Sequence, residues 1–218
     1  MGIKENYLRI KNEIPDLRIV AVTKYVGAEK VIEAYKAGIR DFGENRIQDA
    51  EKKKEELPEE IQKNIIWHFL GHIQTNKAKK IAGSFEYIHS VDSVKVAEIL
   101  AKTASAKGIK QKILIQVNIA EEKTKYGFTI NEFKKDFERI LNLESLEVSG
   151  LMTMAPFTKE ERIVREVFKG LRELKDKLQT EYQINIPELS MGMSNDYKIA
   201  WEEGSTIVRI GQALFKEN

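Results

Sequence analysis

The chain has 218 residues, 42% of them hydrophobic and 32% charged, which is the balance of an ordinary water-soluble domain. Its 36 basic and 34 acidic side chains leave a formal charge of +2, so no nucleic-acid partner is expected. Cysteine is absent, which excludes disulfides, thiolate catalysis and cysteine-based metal sites. No apolar run approaches the roughly 20 residues of a membrane span, and the start of the chain lacks an apolar signal core. We therefore expect a soluble cytoplasmic protein without a membrane partner.

Eight short apolar runs alternate with helical patterns along the chain. Strands are predicted at residues 18–25, 39–44, 65–71, 87–91, 112–119, 146–154, 188–192 and 207–211. Helices are predicted at residues 3–13, 28–37, 46–56, 74–82, 94–106, 131–141, 158–178 and 194–203. Such alternation predicts parallel strands with right-handed crossovers, and eight units close into a (β/α)8 TIM barrel. We expect α/β architecture with one domain over residues 1–218, an N-terminal helix and a short C-terminal tail; a doubly wound open sheet is the alternative.

Lys24 stands at the end of the first predicted strand, where chemistry is found in such barrels. Loss of hydration there favours the free amine, which is a nucleophile for carbonyl groups. The alternative is that Lys24 lies in the loop past the strand with its ammonium group in water.

The last two predicted strands end in segments suited to a phosphate group. Ser190, Gly192 and Ser194 precede a predicted helix, whose N-terminus offers free N–H groups to an anion. Gly211 and Gln212 follow the eighth strand, and glycine lets backbone amides approach a ligand. Barrels commonly hold phosphate at these two loops, although Ser194 could serve only as a helix N-cap.

Arg209 interrupts the otherwise apolar eighth strand. Strand alternation places it opposite Val208 and Ile210, so it points into the barrel if those residues face the helices. A buried guanidinium needs an acceptor, which could be a protein carboxylate, a ligand ring nitrogen or a phosphate.

The remaining unusual residues give weaker signals. His68 is predicted to be a hydrogen-bonded core histidine and His72 to lie at the rim; no metal site is expected. Met152 and Met154 are expected to fill the barrel mouth. The run of lysines at residues 52–54 is predicted to be a solvated helix face. A lysine facing a phosphate cradle suits an aldehyde that carries a phosphate, of which pyridoxal 5′-phosphate is the obvious member.

Six motifs occur in order along the chain, at residues 21–24, 42–45, 68–77, 150–154, 189–194 and 208–211. Together they resemble the pyridoxal phosphate homeostasis proteins, single-domain relatives of the alanine racemase barrel (fold type III of the pyridoxal phosphate proteins). The resemblance implies a Schiff base between Lys24 and the cofactor. It further implies a cofactor pocket formed by Asn45, His72, Met152, Ser190, Ser194, Arg209, Gly211 and Gln212, with Arg209 at the pyridine nitrogen. Lys125 matches a family lysine linked to cofactor exchange.

The resemblance implies a carrier that buffers or delivers the cofactor, with apo-enzymes as possible partners and a monomer as the expected state. One alternative is an amino-acid racemase. That reaction needs a base on each face of the α-carbon, and racemases with this barrel take one from a second domain, for which we expect no room after strand eight. An arginine at the ring nitrogen also weakens the cofactor as an electron sink. A phosphosugar aldolase that uses Lys24 is the other alternative.

Overall fold

The computed structural model describes residues 2–122 and 124–216 of the chain. Its strands are β1 Arg18–Val22, β2 Asp41–Glu44, β3 Ile66–Phe69, β4 Tyr87–Val91, β5 Gln111–Gln116, β6 Leu146–Met152, β7 Glu188–Ser190 and β8 Ile207–Ile210. Its helices are α1 Ile3–Glu13, α2 Ala28–Lys36, α3 Ile47–Glu56, α4 Glu59–Asn64, α5 Thr75–Ile81, α6 Val94–Ala106, α7 Ile130–Leu141, α8 Glu161–Tyr182, α9 Tyr197–Glu202 and α10 Gln212–Phe215.

The eight strands form a closed parallel barrel in sequence order. Closure comes from β1, which pairs with β2 on one side and with β8 on the other, with Val20 opposite Arg209. The predicted (β/α)8 barrel is confirmed, and the open doubly wound sheet is wrong, because an open sheet has two edge strands whereas each of the eight strands described here pairs on both sides.

Side chains alternate between the helix layer and the barrel interior along each strand. The outward residues, such as Phe42, Val208 and Ile210, belong to the large core beneath the helices. A separate small cluster of Val20, Leu114, Met152 and Ile207 lies in the interior. Arg209 lies between two outward residues and is buried, so its predicted inward orientation is confirmed.

Several predicted boundaries were wrong. The first strand ends at Val22, which leaves Lys24 in a turn. The helix predicted from residue 194 begins at Tyr197, because residues 194–196 form a turn in which the Asp196 carboxylate accepts a hydrogen bond from the Met193 N–H. The short helices α4 and α10 were not predicted. Part of the expected tail is therefore helical, and residues 217 and 218 lie outside the described part. Among the described helices, none is long and apolar enough to cross a membrane.

Candidate functional site

The turn after β1 carries Lys24 at the C-terminal rim of the barrel. Its side chain is exposed, and its Nζ atom lies 4.7 Å from the centre of the Tyr25 ring. The amine is therefore at the surface of the barrel mouth, which was the alternative considered from the sequence. The expected dehydration at the end of a buried strand is not found, because β1 stops two residues earlier.

A buried ion pair supports this turn from the helix side. Glu44 ends β2 on the outward face and pairs with Lys53 of α3; their side chains are 0% and 9% exposed. The Lys53 ammonium also donates to the Thr23 carbonyl oxygen at 2.9 Å, and the Thr23 hydroxyl donates to Glu44 Oε1 at 2.5 Å. The side chains of Glu44 and Lys53 thus hold Thr23, the residue that precedes Lys24.

The lysine run at residues 52–54 is therefore only partly a solvated face, which corrects the sequence prediction. Lys53 is buried against Glu44. Lys54 is half-buried over the Phe85 ring, at 4.8 Å, and burial lowers the pKa of its ammonium group. Lys52 alone is well exposed, with 77% of its side chain accessible.

The loops after β7 and β8 meet at Ser194. Its hydroxyl accepts a hydrogen bond from the Ala213 N–H at 3.1 Å, so Ser194 caps α10 and not α9. Gly211 precedes α10, and a side-chain carbon built there would lie 3.4 Å from the Val22 carbonyl oxygen. This close approach brings the Gly211–Gln212 turn beside the strand that leads to Lys24. Gln212 is exposed as the first residue of α10.

Arg209 lies inside the barrel with two protein partners. Its guanidinium donates to Ser190 Oγ at 2.6 Å and to the Thr153 carbonyl oxygen at 3.0 Å. Burial lowers the pKa of Arg209 to about 10, and the negative charge of Asp196 opposes this. Of the three acceptors that the sequence left open, none is used here, because a hydroxyl and a carbonyl oxygen of the protein take the role. A guanidinium has five N–H donors, so it keeps donors for a further acceptor.

Asp196 is a residue of this region that the sequence analysis missed. Its carboxylate accepts a hydrogen bond from the Met193 N–H and so holds the loop after β7. Burial raises the pKa of this carboxyl group, and the hydrogen bond and the positive charges of Arg209 and Lys125 act in the opposite direction. The signal available in the sequence was an Asp directly before a helical pattern, which is typical of an N-cap.

The remaining predicted residues lie at different depths of the rim. Asn45 is half-buried directly after β2, and Met152 is buried in the interior cluster. His72 Nδ1 lies within hydrogen-bond distance of Asp92 Oδ2, at 3.0 Å. The His72 ring also stacks on the Tyr126 ring, with ring centres 3.7 Å apart.

Lys125, predicted to assist exchange, lies in the loop after β5. Its ammonium group donates to the Ala155 carbonyl oxygen at 2.9 Å and lies 2.9 Å from Glu122 Oε1. It therefore connects the loop after β5 with the loop after β6, at the edge of the barrel mouth.

The barrel defines the class of protein. The family described as "Alanine racemase, N-terminal domain" matches residues 2–218, so the chain is a member of that barrel family. A "Pyridoxal phosphate homeostasis protein" of Aquifex aeolicus is 43% identical over 200 residues, which are 92% of this chain and 86% of the relative. One of Synechocystis is 38% identical, covering 92% and 91% of the two chains.

A solved structure of a relative allows the three-dimensional folds to be compared. PipY of Synechococcus elongatus, solved with PLP bound, is 34% identical and superposes with a TM-score of 0.90 over 99% of this chain and all of PipY. Within the racemase-barrel class, the chain belongs to the pyridoxal phosphate homeostasis protein family.

Proposed function

We propose that this protein binds pyridoxal 5′-phosphate reversibly and holds it for intracellular homeostasis and delivery. The observation that carries the proposal is the convergence of three kinds of group across the seam between β1 and β8. Lys24 follows β1, Arg209 lies on β8 opposite Val20, and the Gly211 turn packs against Val22.

These groups fit the chemistry of the cofactor. Its aldehyde reacts reversibly with a primary amine, which the exposed Lys24 side chain supplies. A pyridine nitrogen without a proton accepts a hydrogen bond, and the donor-only guanidinium of Arg209 has unused N–H groups to offer. A phosphate group accepts hydrogen bonds from hydroxyls and from N–H groups at the start of a helical turn, which suits Ser194 and the Gly211–Gln212 turn.

A carrier role is supported by the same arginine. Arg209 is donor-only, so it stabilises an unprotonated ring nitrogen, and such a ring is a weak electron sink for carbanion chemistry. The relatives of Aquifex aeolicus and Synechocystis are named pyridoxal phosphate homeostasis proteins, which agrees with this role. We propose that Asn45, His72 and Met152 line the pocket around the ring. Lys125 is proposed to assist exchange, because its contacts join two loops at the mouth. We further propose that the carrier is monomeric and cytoplasmic and that it transfers the cofactor to apo-enzymes.

The test is a spectroscopic titration of the purified protein with pyridoxal phosphate. We expect the visible absorption band of a cofactor bound through a lysine, and we expect Lys24→Ala to lose it. Lys36→Ala is the matched control, since that lysine is exposed at the end of α2, away from the carboxyl ends of the strands where the proposed site lies. Addition of an apo-enzyme should then transfer the cofactor and restore that enzyme's activity.

Three outcomes would refute the proposal. A wild-type protein without the visible band would favour the aldolase-type barrel that uses Lys24. A band that persists in Lys24→Ala would remove Lys24 from its role as the cofactor-binding amine. Interconversion of alanine or serine enantiomers at ordinary enzymatic rates would replace the carrier by a racemase.

A further inference from the structure

A continuous chain of hydrogen bonds crosses the barrel interior and ends on Arg209. Asp41 Oδ1 lies 3.0 Å from His68 Nε2, and His68 Nδ1 lies 2.9 Å from His89 Nε2. His89 Nδ1 is 2.9 Å from Ser190 Oγ, which accepts from Arg209 at 2.6 Å. The chain thus passes from β2 through β3 and β4 to β7 and β8 on the opposite wall.

The two ends of this chain determine its direction. A guanidinium only donates hydrogen bonds, and an ionised carboxylate only accepts them. His68 therefore carries a proton on Nε2 toward Asp41. If His68 is neutral, its Nδ1 atom accepts from His89 Nε2, and a neutral His89 then accepts from the Ser190 hydroxyl. Every donor points from Arg209 toward Asp41.

The reverse arrangement leaves a hydrogen bond unmade. A cationic His68 would donate from Nδ1 to His89, whose remaining proton would then point at Ser190 Oγ. Ser190 would receive two donors, and its own proton would need a third partner. Among the described residues, the Ser190 hydroxyl has only His89 and Arg209 as side-chain partners. A buried hydroxyl without an acceptor is costly, so the neutral arrangement is favoured.

Burial favours the neutral form of both histidines, and the neighbouring charges add to this at His89. His68, His89 and Ser190 are completely buried. Burial lowers the pKa of His89 well below its usual value, and the positive charge of Arg209 adds to this. Burial also lowers the pKa of His68, although Asp41 opposes it.

We propose that Asp41, His68 and His89 are positioning residues for Arg209, acting through a one-directional hydrogen-bond chain in which both histidines are neutral and protonated on Nε2. The chain turns the Ser190 proton toward His89 and leaves a lone pair of Ser190 Oγ for Arg209. Together with the Thr153 carbonyl oxygen, this fixes the plane of the guanidinium. The consequence for the cofactor ring nitrogen rests on the function proposed above, whereas the protonation pattern does not.

The protonation pattern can be read directly from the protein without any ligand. The chain has three histidines, so ¹⁵N NMR of histidine-labelled protein resolves each ring. We expect His68 and His89 to show the neutral Nε2–H form at neutral pH, with single-histidine variants used for assignment. A cationic ring, or an Nδ1–H tautomer at either residue, would overturn the proposal.

The coupling to Arg209 is tested by the affinity for pyridoxal phosphate and for its 1-deaza analogue, in which C–H replaces the ring nitrogen. The wild type should prefer pyridoxal phosphate by about tenfold, which is the worth of one such hydrogen bond. His89→Leu should lose this preference. His89→Asn should keep part of it, because its side-chain oxygen can still accept from Ser190.

If His89 has only a structural role, His89→Leu should lower the affinity for both ligands by the same factor. That result would refute the positioning role. If the wild type bound neither ligand, the proposed function would fail, while the NMR result would still decide the protonation pattern.

Discussion

Replacing Lys53 by alanine should be among the most destabilising surface-helix substitutions in this protein. Lys53 is the cation of a buried pair, with its ammonium group held by Glu44 and by the Thr23 carbonyl oxygen. Without it, the Glu44 carboxylate would keep only the Thr23 hydroxyl as its side-chain donor. Among the described residues, Glu44 Oε2 already has no hydrogen-bond partner.

The size of the effect follows from that isolation. Removing one partner of a buried ion pair leaves an uncompensated charge and costs about 3–5 kcal/mol. The free energy of unfolding of such domains is about 5–15 kcal/mol, so Lys53→Ala should remove a large part of it. The double variant Glu44→Gln/Lys53→Met should recover most of the loss, because neither charge then remains buried.

The assay is urea denaturation followed by circular dichroism, with Lys52→Ala as the control. Lys52 is the neighbouring residue of the same helix, and its ion pair with Glu56 is exposed at both ends. Its replacement should change the free energy of unfolding by less than about 0.5 kcal/mol. Equal losses in Lys53→Ala and Lys52→Ala would refute the reasoning that burial isolates Glu44.

Two further predictions concern the histidines and a glycine. Burial lowers the pKa of His68 and His89 below the usual 6.5, so below that pH the unfolded chain binds more protons than the folded protein. The contribution of the two rings to stability should therefore be full above about pH 6.5 and should fall as the pH drops. The loss should reach up to about 1.4 kcal/mol per pH unit for each ring. Denaturation at several pH values checks this, and the dependence should flatten in His89→Asn. Gly192→Ala combines a φ of +94° with a new carbon 2.5 Å from Ala200 Cβ, whereas Gly108→Ala has a φ of +65° and open space. Thermal unfolding should show a loss of about 1–2 kcal/mol for Gly108→Ala and a larger one for Gly192→Ala; equal losses would contradict the packing argument.

Local patterns were sufficient for the barrel and for the orientation of Arg209. Eight apolar runs at regular intervals fix the number of strands, and the alternation of Val208, Arg209 and Ile210 is a property of the strand itself. His68 was recognised as a hydrogen-bonded core residue for the same reason, and the structure confirms it.

Residues that depend on distant partners could not be predicted in this way. Lys53 looks like its exposed neighbours until β2 brings Glu44 against α3. The sequence around Ser194 is typical of a helix start, but a turn at residues 194–196 precedes α9. Ser194 instead accepts a hydrogen bond from the Ala213 N–H of α10. These contacts join elements that are far apart in sequence, and no local window contains both members.

The pairing of β1 with β8 also has a consequence for biosynthesis. Lys24 is made early, whereas Arg209 and Gly211, which lie across the seam from β1, are made about 185 residues later. The ring of strands therefore cannot close on the ribosome until β8 has emerged. Contacts of such long sequence separation also slow folding. A nascent chain consequently exposes Lys24 to solvent well before the barrel closes, and we expect competence to bind a ligand to arise only after β8 has been made.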